Sequence, residues 1–262
     1  MGVADAVLAD LADEQAELDF LLAGLDEDGW LTATPAEGWS VLDTVGHLAF
    51  FDEQVSVAAA DPDAFRAGLV KVIADFSGYM NRGPERARSL GGQGTLEWWR
   101  RTRVDSLEAL AAVEPGVRLP WYGPDMSVAS AATARLMETW AHGQDVVDGL
   151  GVTRQPTARL QHVALLGQKA LANSFLAHGL PVPTEQVRVE VTGPDGAEWV
   201  FGPAETPHVV RGTALDFCLL TTQRRHRAGL ALTATPGLAD QWLDVAQAFA
   251  GPPGSKRQPT SR

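Results

Sequence analysis

At 262 residues, with 45% hydrophobic and 21% charged residues, the chain has the composition of a globular protein, long enough for one large domain or two small ones. Its formal net charge of −12 argues against a nucleic-acid partner, because phosphate binding needs a basic face. Cys218 is the single cysteine, which excludes an intrachain disulfide, and no uncharged apolar run approaches the ~18 residues that would span a membrane.

The first segment, MGVADAVLADLADEQ, is acidic and amphipathic, without the basic and apolar regions of a secretory signal. Ala6 stands where a myristoylation motif needs Ser or Thr, and the chain reads as cytoplasmic. Lysine is nearly absent, so arginine supplies most of the positive charge; with abundant Ala, Gly and Pro, this suggests a GC-rich bacterial genome. Over residues 4 to 25, Val7, Leu8, Leu11, Leu18, Leu21, Leu22 and Leu25 recur with helical period. After a loop containing Pro35 and Gly38, Ser40 and Asp43 form a capping-box-like start for a helix carrying Val41, Val45, Leu48 and Val55, ending near Asp61-Pro62. A helix over about 63 to 77 is expected next, then a loop around Gly91, Gly92 and Gly94. Another helix begins near Thr95, with Leu96, Trp99, Val104, Leu107 and Leu110 periodic, and the two prolines of RLPWYGPD (118–125) break the pattern. A long helix runs from about Ser127 to Gly149, where glycine is a natural stop. Four long helices suffice for a bundle.

Beyond Gly151 the character changes. Residues 156 to 178 look helical, and Pro181 and Pro183 follow. Val187, Val189 and Val191 alternate with polar residues, Gly-Pro-Asp-Gly (193–196) turns the chain, and Trp199 and Phe201 alternate on the return, a β-hairpin pattern. A short strand through Val209 and Val210, a helix capped by Thr213 with Asp216, and a last helix from Leu238 to Ala250 complete the reading. The expected division is a helical bundle over 1–152, a smaller α+β domain over 153–250, and a disordered tail over 251–262. Cys218, in the apolar run LDFCLL, reads as a small buried hydrophobe.

Glu138 and His142 are four apart on the long helix, so both side chains lie on one face and can reach one ion. His47 sits mid-helix in VGHLAFFDE, on a second long helix that could face the first. Two imidazoles and a carboxylate suit zinc or another first-row divalent metal, and three protein ligands leave a position open, the catalytic pattern. The spacing alone is a weak signal, since Glu-x-x-x-His occurs by chance and a mid-helix histidine is often a hydrogen-bonded core residue. His162, His178, His208 and His226 read as structural or surface residues. Asp145 either orients an imidazole or is an exposed helix carboxylate. Arg135 either pairs with Glu138 or binds an anionic substrate. Trp121 and Tyr122 either wall a pocket or simply pack. The cluster Arg224, Arg225, His226 and Arg227 reads as cations ending a helix, favoured by the helix dipole.

The stretch TPAEGWSVLDTVGHLAFFDE (34–53), with its Pro-x-x-Gly-Trp-Ser-type loop and His-Leu helix, and RLMETWAHGQDV (135–146) together resemble the mycothiol-dependent maleylpyruvate isomerase family of the DinB-like superfamily. The resemblance covers residues 4 to 250 and is nearest to a subgroup described only as metal-binding, whose C-terminal half sometimes carries a wyosine-type label. In that family the matching His, Glu and His bind zinc, and they fall on His47, Glu138 and His142. The resemblance implies a mainly α chain: a DinB-like four-helix bundle followed by a smaller α+β domain similar to sterol-carrier folds. It further implies an arginine serving the site from the C-terminal domain, so that Arg224 or Arg225 would bind a carboxylate of thiol or substrate. The expected function is a metal-dependent isomerase or S-transferase that uses mycothiol on a small electrophilic substrate. The alternatives are a hydrolase using metal-bound water, with Asp145 as a base, and a non-catalytic metal or small-ligand binding protein.

Overall fold

The computed structural model describes residues 2–254 and 257, and the chain divides into two compact units, Met1–Arg154 and Gln155–Arg262. The first holds α1 (Val3–Leu22), α2 (Glu27–Leu31), α3 (Val41–Ala60), α4 (Pro62–Ala74), α5 (Phe76–Ala111) and α6 (Val128–Leu150). The two-residue strands β1 (Arg118–Leu119) and β2 (Met126–Ser127) pair antiparallel between α5 and α6. The architecture is the expected helical bundle followed by an α+β unit. Among the described residues no helix is long and apolar enough to cross a membrane.

The long helices α1, α3, α5 and α6 bury their periodic apolar faces, with Leu11, Leu22, Leu48, Leu96, Trp99, Leu110 and Leu136 essentially inaccessible. The capping box that opens α3 is present: Ser40 Oγ accepts from Asp43 N at 3.3 Å, and Asp43 Oδ2 accepts from Ser40 N at 2.9 Å. Other expectations are corrected. A short helix, α2, follows α1, capped where Asp26 Oδ1 accepts from Gly29 N at 2.8 Å. The expected break at the glycine run is a sharp kink rather than a loop: two helical stretches of α5, one carrying Pro84 and one ending at Ala111, meet at Gly91, whose backbone is not helical (φ 72°, ψ 178°). Glycine adopts that angle without steric cost, and the bare backbone of Gly92 lets the Trp30 indole lie where a Cβ would stand 2.4 Å from Trp30 Cδ1. The left-handed residue that stops α6 is Gly151, not Gly149.

The contact that positions His47 comes from two glycines. Gly46 on α3 faces Gly83 on α5 so closely that a Cβ on Gly46 would lie 2.7 Å from the Gly83 carbonyl oxygen and 2.5 Å from Ala87 Cβ. Only hydrogen at these positions lets the two backbones touch, one residue before His47. Charged pairs add cross-links. Asp19 on α1 accepts from Arg100 on α5 (Nη2–Oδ1 2.6 Å) and from Arg103. Burial alone would raise the Asp19 carboxyl, but hydrogen bonds and charge from Arg100 and Arg103 hold it below its usual value of 3.8.

The second unit comprises α7 (Leu160–Lys169), α8 (Leu171–Ala177), β3 (Arg188–Thr192), β4 (Glu198–Phe201), β5 (Val209–Thr213), α9 (Ala214–Thr221), β6 (Thr233–Ala234) and α10 (Leu238–Val245). The strands form one sheet in the order β4-β3-β5-β6. The β3–β4 hairpin pairs Val191 with Trp199, β5 runs parallel to β3, and Thr213 Oγ1 caps α9 by accepting from Asp216 N at 3.0 Å. Cys218 is fully buried, its thiol 3.6 Å from the Leu160 carbonyl, and burial pushes its pKa well up. The single helix expected over 156–178 is two, separated at Ala170. The last helix ends at Val245 rather than Ala250, because Ala246 is extended (φ −56°, ψ 129°) and Ala248 N donates to Thr221 O at 2.7 Å. Of the expected tail, Gly254 N donates to Gln223 Oε1 at 3.1 Å, whereas Ser255, Lys256 and residues 258–262 lie outside the described residues.

Two outcomes test this packing. Gly46→Ala should lower unfolding free energy by about 2 kcal/mol through overpacking, read by urea denaturation. Asp19→Asn should cost a similar ~2 kcal/mol at pH 7. Because the folded carboxyl titrates below 3.8, its contribution is complete above that pH and drains away as the pH falls through the lowered value. The difference between Asp19→Asn and wild type should therefore shrink in melts at pH 3.

Candidate metal centre

His47 projects from the middle of α3, and Glu138 and His142 from successive turns of α6. One ligand atom from each lies within 4.8 Å of the other two, and among the described residues this is the one group of three or more such side chains that converges. Glu138 Oε2 stands 3.3 Å from His142 Nε2 and 3.8 Å from His47 Nε2. Ligands around a tetrahedral zinc, with bonds near 2.1 Å, lie roughly 3.4 Å apart, so the donor set fits a single ion.

Proton positions sharpen that fit. Asp145, buried on the same helix, places Oδ2 3.2 Å from His142 Nδ1. A carboxylate there favours a proton on Nδ1 and leaves Nε2, 3.3 Å from Glu138 Oε2, to face the carboxylate as a donor when the imidazole is protonated or to offer its lone pair to a shared ion when it is neutral. Burial pushes the His47 imidazole down to about 4, despite the raising influence of Glu138, so His47 is neutral and metal-competent at neutral pH. Its Nδ1 is buried without a hydrogen-bond partner among the described residues. Burial opposes ionisation of Glu138, but the two histidines outweigh it and hold the carboxyl well below its usual range.

Aromatic rings enclose the imidazoles. Trp39 stacks on His142 (centroids 5.9 Å, planes 20° apart) and lies 5.1 Å from His47, while Phe51 lies 4.7 Å from His47. Trp39 is held by the chain around 33–40, where Thr34 N donates to Trp39 O at 2.8 Å and Ala33 bridges to Ser40. Neither ring is a site candidate in the sequence reading, although each had a signal: Phe51 lies one helical turn beyond His47, and Trp39 is the tryptophan of the Pro-x-x-Gly-Trp-Ser-type loop.

The remaining candidates divide. Tyr122 packs edge-on against Phe51 at 5.8 Å, and Trp121 stacks on Phe65 at 5.5 Å, so both belong to the aromatic cluster beside His47. Arg135 does not pair with Glu138: its Nε donates to Asp52 Oδ1 at 2.9 Å and Nη2 to Leu48 O at 3.3 Å, which spends the guanidinium inside the core. Arg224 and Arg225 lie in the second unit, past the end of α9 rather than in its last turn. There Arg224 Nη1 donates to Thr222 O at 2.7 Å and Arg225 Nη1 to Arg224 O at 2.8 Å. In the second unit, His178, His208 and His226 are bonded locally, to Ser174 O, Glu185 and Ala228 N respectively.

Comparisons with known proteins give the family and the fold. Residues 11–147 match the family described as mycothiol maleylpyruvate isomerase N-terminal domain, and residues 183–235 match one described as wyosine base formation. Uncharacterised proteins from two strains of Mycobacterium tuberculosis are each 42% identical over 250 residues, covering 95% of this chain and 97% of theirs. The crystal structure of the mycothiol-dependent maleylpyruvate isomerase shares the fold, with a TM-score of 0.62 and 13% identity over 90% of this chain and 94% of that one. A histidine-to-alanine mutant of that isomerase superposes with a TM-score of 0.58. By its match over residues 11–147, the segment that contains His47 and Glu138 with His142, the chain belongs to the mycothiol maleylpyruvate isomerase N-terminal domain family.

Proposed function

We propose that His47, Glu138 and His142 hold one divalent metal ion, zinc by the character of the donors, and that the chain is a thiol-using enzyme. Its reaction is isomerisation or S-transfer on a small electrophilic substrate, with mycothiol as the thiol. The observation that carries the metal reading is the convergence of two imidazoles and a carboxylate, one ligand atom of each within 4.8 Å of the other two. Family membership carries the thiol. When bound, the metal would supply an open Lewis-acid position that favours the thiolate form of a coordinated thiol.

The chain's own residues prepare that position. Asp145 holds His142 in the tautomer that offers Nε2. Trp39 and Phe51 cover the faces of the two imidazoles and limit water beside them. Glu138, with a quarter of its side chain exposed, marks the accessible side of the cluster.

Elemental analysis of purified protein tests the metal: about one equivalent is expected in wild type and almost none in His142→Ala, and metal retained by that variant would refute the ligand set. Calorimetric titration with mycothiol tests the thiol: binding is expected to the metal-loaded form alone, and metal without thiol affinity would turn the reading toward water chemistry or simple ligand binding. Asp145→Asn keeps every ligand but loses the tautomer control, and competition with a chromogenic chelator should show metal affinity weakened about 10–100-fold.

A further inference from the structure

A cavity in the helical unit has a lining that includes none of His47, Glu138 and His142. It has a volume of about 140 Å³ and opens between α3, α4, α5 and the segment carrying Tyr122. An apolar cavity of ~150 Å³ accepts a benzene ring, so this one has room for a single ring or a short unsaturated chain. Phe65, Val57 and Leu69 supply apolar wall, and Gln54, Tyr79, Tyr122 and Arg82 supply its polar lining.

The hydrogen bonds give the polar lining a direction. The Tyr79 hydroxyl donates to Gln54 Oε1 at 2.9 Å. That uses its one proton, so in the 2.6 Å contact between the two phenols Tyr122 is the donor. The phenol protons and Gln54 Oε1 are therefore committed to one another. What remains to meet a ligand is the Gln54 amide NH2 and the Arg82 guanidinium. Arg82 lies with its guanidinium carbon 5.0 Å from the Tyr79 ring centroid, and among the described residues no carboxylate lies within ion-pair distance of it. Its neighbour Arg86, by contrast, is bound to Glu53 at 2.9 Å. Burial keeps both phenols neutral by raising their pKa values. In a protein of net charge −12, the cavity thus has, among the described residues, one ionised lining group, the Arg82 cation, and no carboxylate.

We propose that this cavity binds a small arenecarboxylic acid of about nine non-hydrogen atoms, with the carboxylate at Arg82 and Gln54 and the ring against Phe65. Tyr122 packs on Phe51 and Phe51 on His47, so the site lies one ring away from the candidate metal centre. The binding itself needs no metal, and its failure would leave the metal reading untouched.

Benzoate is the probe, titrated against the full chain by calorimetry with and without added zinc. A Kd of roughly 0.1–1 mM is expected, in line with the size of the ligand. Benzamide, of the same shape without the charge, should bind at least about tenfold more weakly, and Arg82→Gln should weaken benzoate by a similar factor. Gly68→Leu provides an independent check: a Cβ at Gly68 meets nothing within 4 Å, so the side chain fills the cavity without disturbing a polar group and should abolish binding. No saturable binding below 10 mM, equal affinity for benzoate and benzamide, or unchanged binding in either variant would overturn the proposal.

Discussion

Asp52 and Arg135 form an ion pair in the interior of the bundle, the carboxylate at 0% exposure and the guanidinium at 3%. Taking both charges out of water costs several kcal/mol per ion, and burial pushes the Asp52 carboxyl up against the pull of Arg135. Further bonds offset that cost: Trp99 Nε1 donates to Asp52 Oδ2 at 3.2 Å, and Arg135 donates to the Leu48 carbonyl. An apolar pair could stabilise such a core as well, so the return lies in geometry. Asp52 is five residues after His47 and Arg135 three before Glu138. A directional bond between them sets how far α6 can slide along α3, and with it the separation of the metal-facing atoms. Apolar packing by itself tolerates small shifts; a guanidinium bonded at once to a carboxylate and to a backbone carbonyl of α3 does not.

The same constraint holds the polar cluster in place. Glu138 Oε2 faces Nε2 of both His142 and His47, and Asp145 reaches the other ring nitrogen of His142. Trp39 and Phe51 pack against the imidazole rings, and the ion pair holds the helices that carry them. Side chains fixed in this way keep three donor atoms within 4.8 Å of one another.

Arginine does comparable work elsewhere in the first unit, in a chain with only three lysines. Arg88 ties α5 to the α3 capping box through Asp43 at 2.7 Å, Arg100 and Arg103 join α5 to Asp19 on α1, and Arg154 bonds Glu17 at 3.0 Å and Glu14. Each links elements distant in sequence, and each uses a planar fork that lysine lacks. The excess of acidic residues is therefore partly structural, since many carboxylates accept these forks.

The sequence by itself determined the long helices, the capping box at Ser40, the β-hairpin around Gly-Pro-Asp-Gly, and the placement of Glu138 above His142, because those follow from interactions within a few residues: periodicity, caps and turn chemistry. It also held His47 as a candidate, through the motif around it rather than through spacing. What it could not hold was any relation across helices. That Arg135 reaches Asp52 and not Glu138 depends on where α3 lies against α6, 83 residues apart in the chain. That the chain kinks at Gly91 instead of opening into a loop, with Trp30 resting against Gly92, and that α3 approaches α5 where Gly46 meets Gly83, are both matters of packing. Trp39 enters the centre because a loop folds back, and Tyr79 meets Tyr122 because α5 and a two-residue hairpin converge. Local sequence encodes elements because their hydrogen bonds close nearby; the site and the cavity exist only where elements meet, and that is decided by packing.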